Sequence, residues 1–168
     1  MNMQAGSTIV GLIIIALCIV PFVLIALNKR RKENHLIESL NKLAAEAGLK
    51  ISQYELWNEN IIGLDESEAV VLALITTKST TETHTIHLNQ MSKCRQANIS
   101  RTANTANSST VIIDQLALVF TPKQKHQEEV SIQFYNTEYN STVLTGELQV
   151  IEKWHRLLNE RLEAIAGK

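Results

Sequence analysis

Between Ile9 and Leu27 the chain reads IVGLIIIALCIVPFVLIAL, 19 residues without a charge, and Lys29, Arg30, Arg31 and Lys32 follow almost at once. A helix of that length measures about 28 Å at roughly 1.5 Å per residue, close to the bilayer core of about 30 Å. Fourteen of the 19 residues are Leu, Ile, Val or Phe, each favouring insertion by roughly 0.3–0.6 kcal/mol near mid-helix. The expectation is a membrane-spanning anchor over 9–27 that includes Ile9, Leu12, Ile15, Phe22 and Leu27, with Pro21 as a tolerated kink.

A cleaved secretory signal would put basic residues before the apolar core and a small-residue cleavage site after it. MNMQAGST has neither Lys nor Arg, a basic block follows the core, and Leu17 before Cys18 does not suit a lipoprotein site. The segment therefore reads as a retained anchor. Lys- and Arg-rich flanks stay on the cytoplasmic side, so four cations after the run against none before it place residues 1–8 outside and the C-terminal part in the cytoplasm. Lys29, Arg30, Arg31 and Lys32 would touch anionic headgroups at about 1 kcal/mol per charge. On this topology the Asn-x-Ser/Thr triplets at Asn98, Asn107 and Asn140 are coincidental rather than glycosylation acceptors.

Taking those four cations from the 16 Lys and Arg leaves 12 against 17 acids, all of which lie at or after Glu33, a net of −5 for the remainder. Such a surface repels polyanions, so nucleic acid is not expected as a partner. The two cysteines, Cys18 and Cys94, form no disulfide framework, which fits a reducing compartment.

Residues 28–48 read as a basic flank and juxtamembrane helix that continues the apolar helix with little interruption. Leu36, Leu40, Leu43, Ala44 and Ala47 recur at helical spacing, Glu38 and Lys42 make an i,i+4 pair, and Gly48 supplies a stop. Two readings stand side by side. The stripe packs on the domain that follows, or Leu36, Leu40, Leu43 and Ala47 form a short parallel coiled coil that makes a homodimer, although two heptads are few for that.

From residue 49 the period shortens. KISQYELW (50–57), NIIGL (60–64), AVVLALITT (69–77), THTIHL (83–88), KCRQANIS (93–100), VIIDQLALVFT (111–121) and EVSIQFYN (129–136) are rich in β-branched and aromatic residues between polar turns. Leu116, Leu118 and Phe120, and Val130, Ile132 and Phe134, alternate as one-sided strands do. LDESE (64–68) reads as a hairpin connection and RTANTANSST (101–110) as a mobile loop or irregular edge strand. A final helix over 147–166 carries Ile151, Trp154, Leu158, Leu162 and Ile165 on one stripe, with Thr145 as N-cap. The expected class is α+β: the membrane and juxtamembrane helices, then at 49–168 a curved antiparallel sheet or partly open barrel closed by the C-terminal amphipathic helix.

The succession NIIGLDESEAVVLALI, TIHLNQMSKCRQA, LALVFTPK, EVSIQFYN and GELQVIEKWHRLLNERL resembles uncharacterised bacterial single-pass membrane proteins with a pleckstrin-homology-like cytoplasmic domain, over roughly residues 51–165. The resemblance is one of pattern. It implies a barrel of two sheets plugged by a helix, an inner-membrane location, and binding of a lipid, peptide or protein rather than catalysis. The chain departs from phosphoinositide-binding members at its first hairpin, placed near Asp65, Glu66, Ser67 and Glu68, which is acidic where they are basic.

No phosphate-binding glycine loop, HExxH, CxxC, GxSxG or EF-hand spacing occurs. Asp65, Glu66 and Glu68 lack the glycine and distal carboxylate of a calcium loop and read as a solvated turn. His84 and His87, three apart in a strand, face opposite sides, and so do the neighbours Glu128 and Glu129. His126 and His155 have no visible partners, and Lys123 to Lys125 read as a hairpin tip. Tyr54 and Trp57 are either recognition aromatics or packing residues. No catalytic, cofactor or metal residue is assigned. The expected function is a membrane-anchored binding or scaffolding module with the lipid bilayer and a protein as partners. The alternatives are a small subunit of a larger membrane complex with contacts at Gly11 and along the apolar helix, or a metal- or thiol-dependent enzyme or sensor using His87 and Cys94.

Overall fold

A computed structural model describes residues 3–167 apart from 78–79, 106–107, 139, 141–143 and 145, with side chains described from residue 17 onward except at those positions and over 103–110. The helix that carries the apolar run does not stop at the cations. α1 (Met3–Glu46) extends over 44 residues through Pro21, the basic block and the Leu-rich stretch, so the helix expected at 28–48 runs on from the apolar one as a single element. It ends where Gly48 takes φ 69° and the Leu49 N–H donates to the Ala44 carbonyl at 2.8 Å, the left-handed closure that glycine accepts without strain.

Among the described residues seven strands follow in two antiparallel sheets. β1 (Gln53–Trp57), β2 (Asn60–Asp65), β3 (Val70–Thr77) and β4 (Thr80–His87) form the first, in chain order. One 3-10 turn at Leu88–Gln90 leads to the second: β5 (Met91–Thr105), β6 (Ser108–Pro122) and β7 (Val130–Asn136). α2 (Glu147–Ala166) closes the chain. The class is α+β, with an N-terminal helix, two antiparallel sheets and a C-terminal helix.

The first sheet is covered on both sides. Ile62, Leu64, Val71, Ala73 and Ile75 point into the core shared with the second sheet and α2. Ile61, Val70, Leu72 and Leu74 point the other way, onto Leu40 and Ala44 of α1. Two-faced burial is why NIIGL and VVLALI are continuous apolar runs instead of alternations. Gly63 lets the helix come down: a Cβ there would lie 2.8 Å from Leu40 Cδ2 and 3.1 Å from Ile51 Cγ2. The Leu stripe of α1 is thus used inside the chain, with Leu40 1% exposed.

In the second sheet Leu116, Leu118, Phe120, Ile132 and Phe134 turn inward as their alternation implies. A bulge interrupts β7: Leu116 pairs with Tyr135 and Ala117 with Gln133, which leaves Phe134 as the extra residue and buries it together with Tyr135. Trp57 stacks on Phe134 at 4.3 Å, and its Nε1–H donates to the Phe134 carbonyl at 3.0 Å, linking the outer strands of the two sheets. α2 buries Ile151, Trp154, Leu158 and Leu162. Its Asn159 amide donates to the Cys94 carbonyl at 3.0 Å and accepts from the Cys94 N–H at 3.4 Å, which satisfies part of the free edge of β5.

Of the two readings of 101–110, the irregular edge strand holds for 101–105: they pair with 108–112 up to Thr105 and Ser108 on the edge strand β5, because a backbone ladder makes no demand for apolar side chains. Two expectations need correction. The first hairpin turns at Asn58 and Glu59, where asparagine takes φ 49°. Asp65 to Glu68 belong to the second hairpin, between β2 and β3. Glu128 and Glu129 precede β7 rather than lying on it. Gly146, at φ 126°, occupies the cap of α2, and the expected cap Thr145 lies outside the described residues.

Candidate functional site

Every residue from Leu17 to Lys32 is exposed, and the α1 side chains packed in the apolar cluster on the sheet begin at Leu36. Between Leu17 and Leu27 stand eight large apolar side chains, among them Phe22 at 74% and Ile25 at 68% exposure, distributed around the helix instead of along one stripe. Burying a residue of this kind is worth about 1.5–3 kcal/mol, so leaving all of them in water costs on the order of 10–20 kcal/mol. Among the described residues no helix is long and apolar enough to cross a membrane. Side chains are described for only the second part of the expected span, and Leu17 to Leu27 alone would reach about 16 Å. The side chains of Ile9, Gly11, Leu12 and Ile15 lie outside the described residues.

The cations divide into two sets where the helix leaves the sheet. Asn28, Arg31, Lys32 and His35, spaced as one helical face, line a groove of about 420 Å³ with Glu59 of the first hairpin and Thr76 of β3. An adjoining groove adds Ile25, Lys29 and Asn58. Lys32 Nζ donates to Glu59 Oε1, and Lys29 lies 3.8 Å from Glu33. Arg30 and Arg31 form no ion pair among the described residues, and Arg30 lines neither groove. Glu59, His35, Asn28 and Thr76 were not singled out from the sequence. The i, i+3, i+4, i+7 spacing of 28, 31, 32 and 35 was the available signal.

The acidic turn has a structural task. Asp65 Oδ1 accepts from the Ser67 N–H at 2.8 Å, the Ser67 hydroxyl at 2.6 Å and the Glu68 N–H at 3.1 Å, while Oδ2 accepts from the Lys50 N–H at 2.6 Å. Burial by itself would raise this carboxyl, but the Ser67 hydroxyl and three backbone donors outweigh it and hold it at about 2. Hydrogen bonding from Gln53, against partial desolvation, and the Arg161 guanidinium keep Glu66 below the usual carboxylate range. All the oxygens of Asp65 are thus committed to shaping the turn.

His87 is exposed on β4, whereas Cys94 is buried on β5, in the other sheet, with its backbone held by Asn159. Burial pushes the Cys94 thiol up to about 12, the opposite of what a nucleophilic thiolate needs. His84 is half-buried beside Glu82 at 3.8 Å. Among the described residues no three His, Cys, Asp or Glu side chains are grouped to hold a metal ion. Glu129 is held low chiefly by its hydrogen bond from Arg95 and also by the Thr121 hydroxyl. Trp57 is buried and Tyr54 half-exposed, so of the two aromatics only Tyr54 faces solvent.

At this end of the described molecule stand an apolar rod, a cationic collar at its base and a groove between collar and sheet. Comparison of the chain with family models, with curated proteins and with solved structures finds no match to any of them.

Proposed function

We propose that the chain is a single-pass inner-membrane protein whose residues 9–27 cross the bilayer with the N-terminus outside, and whose pleckstrin-homology-like β-rich unit works in the cytoplasm as a non-catalytic binding or scaffolding module. The observation that carries this reading is the apolar surface from Leu17 to Leu27, exposed around the helix and bounded by four cations. Water does not solvate such a surface, lipid does, and the cationic boundary sets the orientation. Two sheets facing one core beside a closing helix support the pleckstrin-homology-like assignment of the unit. The seating of Leu40 over Gly63 joins the unit directly to the helix that carries the anchor.

Alkaline extraction and a reporter fused to Lys168 test the proposal together. The chain is expected to stay with the membrane pellet, with a cytoplasm-only fluorescent reporter lit and an export-dependent phosphatase silent. Release by alkali, or an active phosphatase, overturns it. Crosslinking in intact cells then identifies the protein held by the module.

A further inference from the structure

We infer that the groove at the base of α1 is a seat for the phosphate of an anionic phospholipid; this rests on the membrane reading above and deepens it. Asn28, Arg31, Lys32 and His35 continue towards the membrane the helical face that Leu36 and Leu40 press onto the sheet. Where the helix diverges from the sheet, this face leaves a wedge that neither protein nor acyl chains fill. The wedge begins one residue past Leu27, the end of the apolar surface, which puts it at headgroup level.

The polar groups suit a phosphodiester. Arg31 has no ion pair among the described residues, and its planar guanidinium can grip two phosphate oxygens at once. Asn28 adds amide donors on the same side. Lys32 is shared: its ammonium is held by Glu59, a carboxylate that competes with phosphate and weakens the seat. A lipid, rather than free phosphate, is the occupant because the groove adjoins an apolar track. Ile25, 68% exposed, lines the neighbouring groove and leads onto the rest of the apolar surface, where acyl chains would lie.

Arg30 supplies an internal control, with the same charge one residue away but outside both grooves. Attraction to a charged surface treats the two arginines alike, whereas a seat does not. The full chain would be reconstituted in vesicles of phosphatidylcholine and phosphatidylglycerol, solubilised gently, and its retained lipids counted by native mass spectrometry. Phosphatidylglycerol is expected to be retained over phosphatidylcholine. Arg31→Gln should reduce that preference about tenfold, as loss of one charge-assisted pair does, while Arg30→Gln changes it less than about twofold and Glu59→Gln raises it. Equal loss in the two arginine variants, no preference in the unaltered chain, or full displacement by inorganic phosphate would each overturn the seat. Alkaline extraction of the same vesicles separates the two proposals. Release of the chain overturns both, whereas retention without lipid preference overturns only the seat.

Discussion

Residues 17–32 and 33–46 share one helical backbone, yet the first segment is exposed throughout while the second spends Leu36, Leu40, Leu43 and Ala44 on Ile61, Leu72 and Leu74 of the sheet. The inner half is amphipathic, with Glu38, Asn41 and Lys42 outward, and answers to water on one side and protein on the other. The outer half is apolar all round, then cationic all round. On the membrane reading proposed above, one backbone geometry serves two solvents, and the side-chain pattern says where the change occurs. Lys29 to Lys32 mark it from one side, and Gly63, one strand into the domain, marks how closely the helix is joined from the other.

The sharpest way to break that contrast is to remove one large apolar residue from each half. Leu40→Ala should lower the unfolding free energy of the detergent-solubilised chain by about 2–5 kcal/mol, the cost of a core cavity. Phe22→Ala, at a position 74% exposed, should change it by less than about 0.5 kcal/mol. Denaturant titration followed by tryptophan fluorescence measures both, since Trp57 and Trp154 are buried in the core. Comparable losses would mean that the outer half is packed on the domain after all.

The next effect in size comes from the far end of β2, about 20 Å along the strand from the collar. Asp65 has its carboxyl lowered from 3.8 to about 2 in the fold, so its contribution is fully present above about pH 4 and lost as pH falls towards 2. The expected loss over that window is about 2 kcal/mol. Asp65→Asn, which cannot ionise, should flatten this part of the stability profile. An unchanged acid limb in the variant would assign the pH dependence elsewhere.

Smaller again is the contact that joins the halves to the domain. Gly63→Ala should cost about 1–2 kcal/mol by overpacking against Leu40 and Ile51. In a Leu40→Ala background most of that cost should vanish, because the clashing Cδ2 is gone. Additive losses in the double variant would show that α1 does not bear on Gly63 as described.

These positions also show what could be read in the chain beforehand. The α2 stripe of Ile151, Trp154, Leu158 and Leu162 was legible because one face meets protein and the other water, which writes a clean period into the sequence. The alternation in β6 and β7 was legible for the same reason, up to the bulge at Phe134. The two-faced burial of β2 and β3 was not, since an apolar run does not say what covers each side until α1 is placed. The pairing of 101–105 with 108–112 was legible only as one of two readings, loop or irregular edge strand, because backbone atoms carry it. At the candidate site the four cations were evident, but Glu59 lies 27 residues from Lys32 and only the first hairpin brings it there. The displacement of that hairpin from Asp65–Glu68 to Asn58–Glu59 is why the groove escaped notice.

The smallest expected effect lies at the border itself. Lys32 and Glu59 form an ion pair whose side chains are 65% and 59% exposed, and pairs so open to water contribute about 0.2–1 kcal/mol at most. A double-mutant cycle of Lys32→Met and Glu59→Gln should therefore give a coupling below about 1 kcal/mol, shrinking further as salt screens it. A larger, salt-resistant coupling would mean that the border is desolvated and that the protein-packed half of α1 extends outward past Lys32. A coupling near zero keeps the boundary at Glu33, the first half-buried residue after the exposed segment, and leaves the Lys32 ammonium available to exchange its carboxylate partner for another anion.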